Sequence, residues 1–331
     1  KWGGKYLRAP DIFFTILEKG KGKLVRLGDI ATVEAGCYSG INEFFYLEEA
    51  EALALGIEKD FLIPLLKSPK QAPTIFLDPI SLPTRIFVCR MSKEELKRRS
   101  RIGALKYIKW GERQVTKHKQ KVQAGVPWPK VPSVAGRKHG WWAVRDMAPS
   151  FVFLLYGIND RYINCLGKSQ AISDRRFHML HPKAEFDNHL LAAVLNSTLT
   201  ALLTELLGRV NLGQGVLDFA TQDASRLPIL NISTNSLSLS GSDNGRLLQS
   251  FEALSKRRMV SIFQELGLPK PNRDYSNIHH EDVSLDKVLP DRRELDKVVF
   301  EAIGLTEAEQ LEVYQAVVEL VRNRLSKARS V

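Results

Sequence analysis

The sequence predicts an α+β fold: a twisted, mostly antiparallel sheet with packed helices, followed by a small helical C-terminal segment. Three observations carry this. Short β-rich runs at 74–77, 85–89, 151–156, 162–166 and 177–180 are separated by turn residues and can pair as a largely antiparallel sheet. Between 190 and 207 the apolar positions Leu190, Leu191, Val194, Leu195, Leu199, Leu202, Leu203 and Leu206 recur at helical spacing. The last third holds helical patterns at 247–266, 292–303 and 307–325, with proline-containing connections between them.

Each element has a local reason. Residues 23–34, KLVRLGDIATVE, alternate apolar and polar before Gly36, as expected of a half-buried strand that enters a loop. Ser92-Lys-Glu-Glu95 has the spacing of a capping box and predicts a helix through Arg99. Asp187 is placed to cap the apolar helix that follows it, and Gly208 to end that helix. Residues 231–245 are rich in Ser, Asn and Gly and read as a linker or exposed loop. The expected division is 1–230, a linker at 231–246 and a helical segment at 247–331. With 331 residues, 44% hydrophobic and 26% charged, the chain has room for two or three cores, and disorder throughout is excluded.

The positive charge is local. Between Arg90 and Arg145 there are 16 Lys and Arg against Glu94, Glu95 and Glu112, which exceeds the net charge of +11 for the whole chain. The same window holds Trp110, Trp128, Trp141 and Trp142, four of the five tryptophans. Cations that displace counterions from phosphates, interleaved with flat rings that stack on bases, are what a nucleic-acid surface requires. A lysine-rich solvated face over core tryptophans is the competing reading.

Other chemistries find less support. Cys37, Cys89 and Cys165 form no Cys-x-x-Cys pair, which suggests core thiols in a reducing cytoplasm. His178 and His181, and the pair His279-His280, lack partners that would complete a zinc pattern, so no metal is expected. Polar residues and Glu205 interrupt the apolar run 190–207, which argues for a core helix and against a membrane span. Gly213-Gln-Gly215 lacks the third glycine of a dinucleotide turn, and neither a Walker motif nor a Gly-x-Ser-x-Gly elbow occurs. Asp78, Glu95 and Lys97 have the composition of a metal-dependent nuclease site, but Glu95 falls on a predicted helix where such sites use a strand. An RNA-binding module would use the same charge and tryptophans, with aromatic platforms expected on the strands. The opening Lys1-Trp2-Gly3-Gly4 has no initiator methionine or signal peptide and reads as the interior of a longer protein.

Four polar loops are suited to reading DNA. The first, 36–45, sets Ser39 and Asn42 beside Gly36 and Gly40, with an ordinary tight turn as its bland alternative. The second, 132–138, carries Ser133, Arg137 and Lys138 into Trp141-Trp142, where an arginine can fork onto guanine. The third joins Asn159-Asp160-Arg161 with Asp174-Arg175-Arg176, and structural ion pairs compete with it. The fourth, 208–215, carries Arg209 and Asn211.

The opening Lys5-Tyr6-Leu7-Arg8-Ala9-Pro10-Asp11-Ile12-Phe13-Phe14, the Ser39-Gly-Ile-Asn-Glu-Phe-Phe45 loop and Asn196-Ser-Thr-Leu-Thr200 leading to Gly208-Arg-Val-Asn-Leu-Gly-Gln-Gly215 carry a resemblance. So do Leu268-Pro-Lys-Pro-Asn-Arg273 and Asp291-Arg-Arg-Glu-Leu-Asp296. Over nearly its whole length the chain resembles the region downstream of the catalytic domain in bacterial adenine-specific (N6) DNA methyltransferases of restriction-modification systems. Where that family commonly has Thr in the first loop, this chain has Ser39, which keeps the hydroxyl. The resemblance implies a target-recognition domain over 1–230, with double-stranded DNA and the catalytic methyltransferase domain of the same parent as partners, in the cytoplasm. It implies S-adenosylmethionine in the missing N-terminal domain and no cofactor in this chain, which has neither a Gly-rich cofactor strand nor an Asn-Pro-Pro-Tyr motif to hold a flipped adenine. The expected DNA-binding residues are Ser39, Asn42, Ser133, Arg137, Lys138 and Trp142 in the loops, and Lys117, Lys119 and Lys121 on phosphates. Arg175, Arg176, Arg209 and Asn211 are secondary, and no catalytic residue is expected.

Overall fold

A computed structural model describes residues 9–117, 124–210, 215–233 and 241–328. The α+β class is as expected. In chain order the strands are β1 (Leu24–Arg26), β2 (Ala31–Ala35), β3 (Tyr46–Glu48), β4 (Leu62–Leu66), β5 (Phe76–Leu77), β6 (Thr84–Phe87), β7 (Ser150–Leu155), β8 (Gly157–Ile158), β9 (Cys165–Ser173), β10 (Phe177–Pro182), β11 (Arg209–Val210), β12 (Leu217–Asp218) and β13 (Pro228–Leu230). The main sheet runs β2-β10-β7-β9-β4-β6-β3, with β5 also alongside β9. Its two flanks are antiparallel, and β9 joins them by pairing in parallel with β4 and β5. β9 manages this because its first residues sit opposite Val152 and Phe153 while Ile172 and Ser173 sit opposite Leu65 and Leu66. Both ends of the strand are buried, and its middle, Lys168 to Gln170, reaches solvent.

The structure departs from the sequence pattern in four places. The alternation at 23–34 is not one strand: Leu27–Ile30 is a helical turn between β1 and β2, and β1 leaves the main sheet to pair with β13. Leu27 and Ile30, three apart, are both buried; that spacing sets them on opposite faces of a strand but on one face of a helical turn, which is what forms. The apolar run 190–207 is two helices, Asn188–Leu195 and Thr198–Leu207, bent by 67°. Ser197 restarts the second by accepting the Thr200 amide, and Asn196 is drawn aside to the backbone of Asn164. Both helices are buried almost all round, so their apolar pattern runs through the break unchanged. The same Asn164–Asn196 pairing holds back the strand expected from 162, which begins at Cys165. The pattern at 247–266 divides into Gly241–Lys256 and Ile262–Glu265, with the Arg257 guanidinium turned inward between them onto Glu265 and Asp291. The caps at Asp187 and Ser92 form, the latter as half a box, since the Glu95 carboxylate goes to Arg99.

Helix Gly241–Lys256 takes in residues 241–246, which the sequence reading gives to the linker; 234–240 lie outside the described residues. This helix packs on Asn188–Leu195 and Pro290–Ile303, and Glu307–Lys327 packs on Thr198–Leu207. Two buried arginines bind the C-terminal helices to the rest. Arg292 reaches Glu265 and the Asn196 carbonyl, and Arg324 forks onto Glu205 at 2.6 and 3.0 Å while reaching the Asn159 carbonyl at 2.7 Å. Among the described residues no single helix is long and apolar enough to cross a membrane.

His178, on β10, is fully buried, and its Nε2–H donates to the Phe219 carbonyl at 2.7 Å. Burial lowers its pKa below the ordinary 6.5. A histidine with a depressed folded pKa contributes its full stability above the unfolded pKa and loses it as pH falls from there toward the folded value. Unfolding free energy should therefore decline below about pH 6.5, by at most about 1.4 kcal/mol per pH unit. Urea unfolding at pH 7.5 and 5.5 should show a smaller loss in His178→Gln than in the parent; an equal loss would assign the effect to another group.

Candidate nucleic-acid interface

The site is built outward from Gly36. Its amide donates to the Phe177 carbonyl and the next amide, of Cys37, to Ser173, so the chain leaving β2 lies against the turn between β9 and β10. A Cβ at Gly36 would stand 2.2 Å from the Asp174 carbonyl oxygen, so this approach needs glycine. Asp174 organises the turn: its carboxylate accepts from the Tyr46 hydroxyl at 2.8 Å and from the Arg176 amide at 3.2 Å. Beside it the Cys37 thiol is pushed up to about 12 by burial and then by Asp174, and so stays protonated and inert near neutral pH.

The 132–145 segment closes on the same loop. Gly40, at φ +79°, packs against Ser133 so closely that a Cβ would come within 2.7 Å of its Oγ. Arg137 donates to the Ser39 carbonyl at 2.6 Å and to the Ala143 carbonyl at 2.8 Å, with its guanidinium 5.1 Å from the centre of the Phe45 ring. Burial lowers the pKa of this guanidinium. The first two polar loops and the 174–176 half of the third thus converge, held by backbone bonds, the Asp174 carboxylate and two arginines, Arg137 and Arg145, the latter donating to the Ala35 carbonyl. What they present to solvent is Tyr38, with the Arg175 guanidinium over its ring at 5.5 Å, and Asn42, Lys138, Arg175 and Arg176.

Several expected contact residues occupy other positions in this arrangement. Ser39 is buried, its hydroxyl donating to Asn42 Oδ1, and Ser133 is half-buried. Trp142 is buried under Lys93, with its indole N–H on the Met91 carbonyl. Arg137 is half-buried, with two of its five N–H donors engaged by carbonyls of the protein itself. Lys117 is exposed. Arg209, exposed on the small sheet β11-β12-β8, lies 3.2 Å from the Asp223 carboxylate. Lys119, Lys121 and Asn211 lie outside the described residues. Asn159-Asp160-Arg161, grouped with the 174–176 turn by sequence, lines a separate groove with Arg258. Tyr38 as an exposed ring and Asp174 as the hub of the turn emerge only in the structure; in the sequence, the glycines flanking the first loop are the one signal for Tyr38.

The tryptophans are chiefly core. Trp128 and Trp141 are buried around Phe44, which stacks on Tyr107 at 4.8 Å and lies 4.5 Å from Trp141, and Trp142 is buried edge-on to Trp141. Trp110, 44% exposed, stacks on the outer side of Tyr107 and is the ring of this cluster that meets solvent. Charge and aromatics interleave in the sequence because helix Ile102–Gly111 turns Tyr107 and Ile108 inward and Lys106 and Lys109 outward. The nuclease-like residues serve local structure: Asp78 caps a short turn at Ile80, and Glu95 pairs with Arg99 at 2.7 Å. Lys97 is exposed on the helix of Glu95. Among the described residues no group of three or more His, Cys, Asp or Glu has a metal-holding arrangement.

Residues 1–139 and 136–258 match the family model described as the C-terminal domain of the type II methyltransferase M.Eco57I. Among solved structures, the chain is similar to the type IIG restriction endonuclease BpuSI, with a TM-score of 0.56 and 11% identity over 98% of this chain and 34% of that one. At this identity the likeness is one of fold, and the chain spans about a third of that enzyme's length. No curated protein sequence matches the chain.

Proposed function

The chain belongs to the family of the C-terminal domain of the type II methyltransferase M.Eco57I, and from that premise we propose that it is the DNA target-recognition part of a cytoplasmic, adenine-specific (N6) methyltransferase of a restriction-modification system. Its partners are double-stranded DNA and the catalytic domain of the same parent, which binds S-adenosylmethionine and the flipped adenine. The observation that carries this reading is the convergence of the 36–42, 132–145 and 174–176 loops into one rigid base that presents Asn42, Lys138, Arg175 and Arg176. Rigid loops holding guanidinium and amide groups outward supply the donors that base edges in a groove accept. Lys106, Lys109 and Lys117, exposed on the basic unit, meet phosphates and fix register.

The test compares both kinds of residue in the parent enzyme, on its site and on single-base variants. If about six phosphates are neutralised, raising salt from ~50 to ~200 mM weakens binding by roughly three orders of magnitude. Lys117→Ala should weaken all sequences alike and flatten the salt slope by about one unit. Arg175→Ala or Arg176→Ala should cost roughly 1–3 kcal/mol on the true site and much less on random DNA. Equal losses on every sequence for both arginines would remove them from sequence reading.

A further inference from the structure

A second basic site lies apart from the loop cluster, where Asn159-Asp160-Arg161 meets the start of the C-terminal helical region. It is a groove with a cavity volume of about 960 Å³, and its walls carry Lys70, Arg161, Arg258, Lys270 and Arg273. Asp160 is the one acid among its described lining residues. Five cations drawn from four separate stretches of chain therefore face one concave space.

The cations are held there, and Asp160 alone among the described lining residues offsets them. Arg257 and Arg258 are neighbours with opposite fates: Arg257 turns inward onto Glu265 and Asp291, while Arg258 stays exposed at the groove. Among the described residues none of the five makes an ion pair with a carboxylate. Arg161 is anchored by a 2.5 Å bond to the Pro69 carbonyl and is half-buried; burial, and then the like charge of Arg258, lower its pKa. The loop bearing Lys270 and Arg273 is braced by its own side chains. Asn277 Oδ1 accepts the Asn272 amide at 2.9 Å, Asn277 Nδ2 donates to the Lys270 carbonyl at 3.0 Å, and Asn272 Nδ2 donates to Ser276 Oγ at 2.8 Å. Tyr275, which lines the groove floor, sits at φ +62°, a costly conformation for a residue with a Cβ, and its ring is packed near Phe263. Five like charges brought together on braced backbone with one carboxylate, Asp160, among them leave an excess of positive charge that an external polyanion stabilises.

We propose that this groove is a second DNA contact, which takes the phosphodiester backbone of the same duplex whose bases face the 36–42, 132–145 and 174–176 loops. The proposal rests on the DNA-binding reading above. It gives the C-terminal helical region a binding role that does not depend on sequence, because point charges in an open groove meet phosphates and read no base edge. Arg161 supplies the inner charge, and Arg258, Lys270 and Arg273 the outer ones.

The experiment uses the full chain and titrates duplexes with and without the parent's site across a range of salt concentrations. The triple variant Arg258→Ala/Lys270→Ala/Arg273→Ala changes only exposed side chains and should keep the thermal midpoint of the parent. It should weaken both duplexes by the same factor, at least about tenfold at ~50 mM salt, and flatten the salt slope by two to three units, since each phosphate contact contributes about 0.9. Arg258→Lys/Arg273→Lys, which keeps the charge, should restore most of the slope. If the triple variant matches the parent in affinity and slope while Arg175→Ala still weakens binding, the groove is not a DNA contact and the loop reading stands. If the triple variant loses affinity for a mononucleotide but not for duplex, the groove is a small-anion site and the proposal fails. A parent chain with no salt-dependent duplex binding overturns both readings together.

Discussion

Arg324→Ala should lower the unfolding free energy by about 3–5 kcal/mol, the largest single loss expected anywhere in the chain. The guanidinium is almost wholly buried, forks onto Glu205 and also reaches the carbonyls of Ile158, Asn159 and Gly215, with the Tyr162 hydroxyl donating to the same carboxylate. Removing it leaves the Glu205 charge buried with a phenol as its remaining partner and leaves the carbonyls without their donor. The cost comes from the uncompensated charge, so removing both charges should restore much of the stability: Arg324→Met/Glu205→Met should lie well above Arg324→Ala in urea midpoint. A double variant no more stable than the single one would mean that the carbonyl bonds, and not the stranded carboxylate, hold the C-terminal helix in place. Because Arg324 joins Glu307–Lys327 to Thr198–Leu207 and to the chain at 158–159, the C-terminal helix and this central region should unfold as one transition.

Arg137→Ala should weaken DNA binding on every sequence alike and lower stability by about 2 kcal/mol, since it deprives the Ser39 and Ala143 carbonyls of their donors. Its role in this structure is to clamp the first loop to the second, across 98 residues of sequence. Arg137→Lys should recover little, because one ammonium does not reproduce a planar fork reaching two acceptors. From sequence alone the opposite signature is expected, a selective loss on the true site. Thermal midpoints together with binding to site and non-site duplexes decide between the two: unchanged stability with a loss confined to the true site would return Arg137 to base reading.

Much of the chain is legible locally. The caps at Asp187 and Ser92, the end of a helix at Gly208, the strand at 151–156 and the C-terminal helices follow from patterns a few residues long, and the α+β class follows from their order. The concentration of charge between Arg90 and Arg145 is a property of composition and needed no structure. Local patterns fail where one stretch admits two geometries. Residues 23–34 as a stretch offer a strand read in alternation, whereas Leu27 and Ile30, three apart, share a face only in a helical turn, and the burial of both goes with the turn. Across Asn196-Ser197 the apolar pattern persists because both helices are enclosed, so only the Asn164 contact reveals the bend.

The sequence by itself determined which loops carry polar groups, where the basic surface arises and which family motifs are present. The tertiary structure decided which of those groups are available. Trp128 and Trp141 go to the core because Phe44, distant in sequence, brings an aromatic face to them, and Trp142 is buried against Trp141. Arg137 is engaged and Arg175 exposed because Ser39 offers a carbonyl to the first, while the second extends from a turn held by Asp174 and Tyr46. The groove that gathers Lys70, Arg161, Arg258 and Arg273 has no signature in any short window. The physical reason is common to all three. Helix and strand periodicity are set by backbone geometry within a few residues, whereas the burial of a ring or a charge depends on partners that only the folded chain brings alongside.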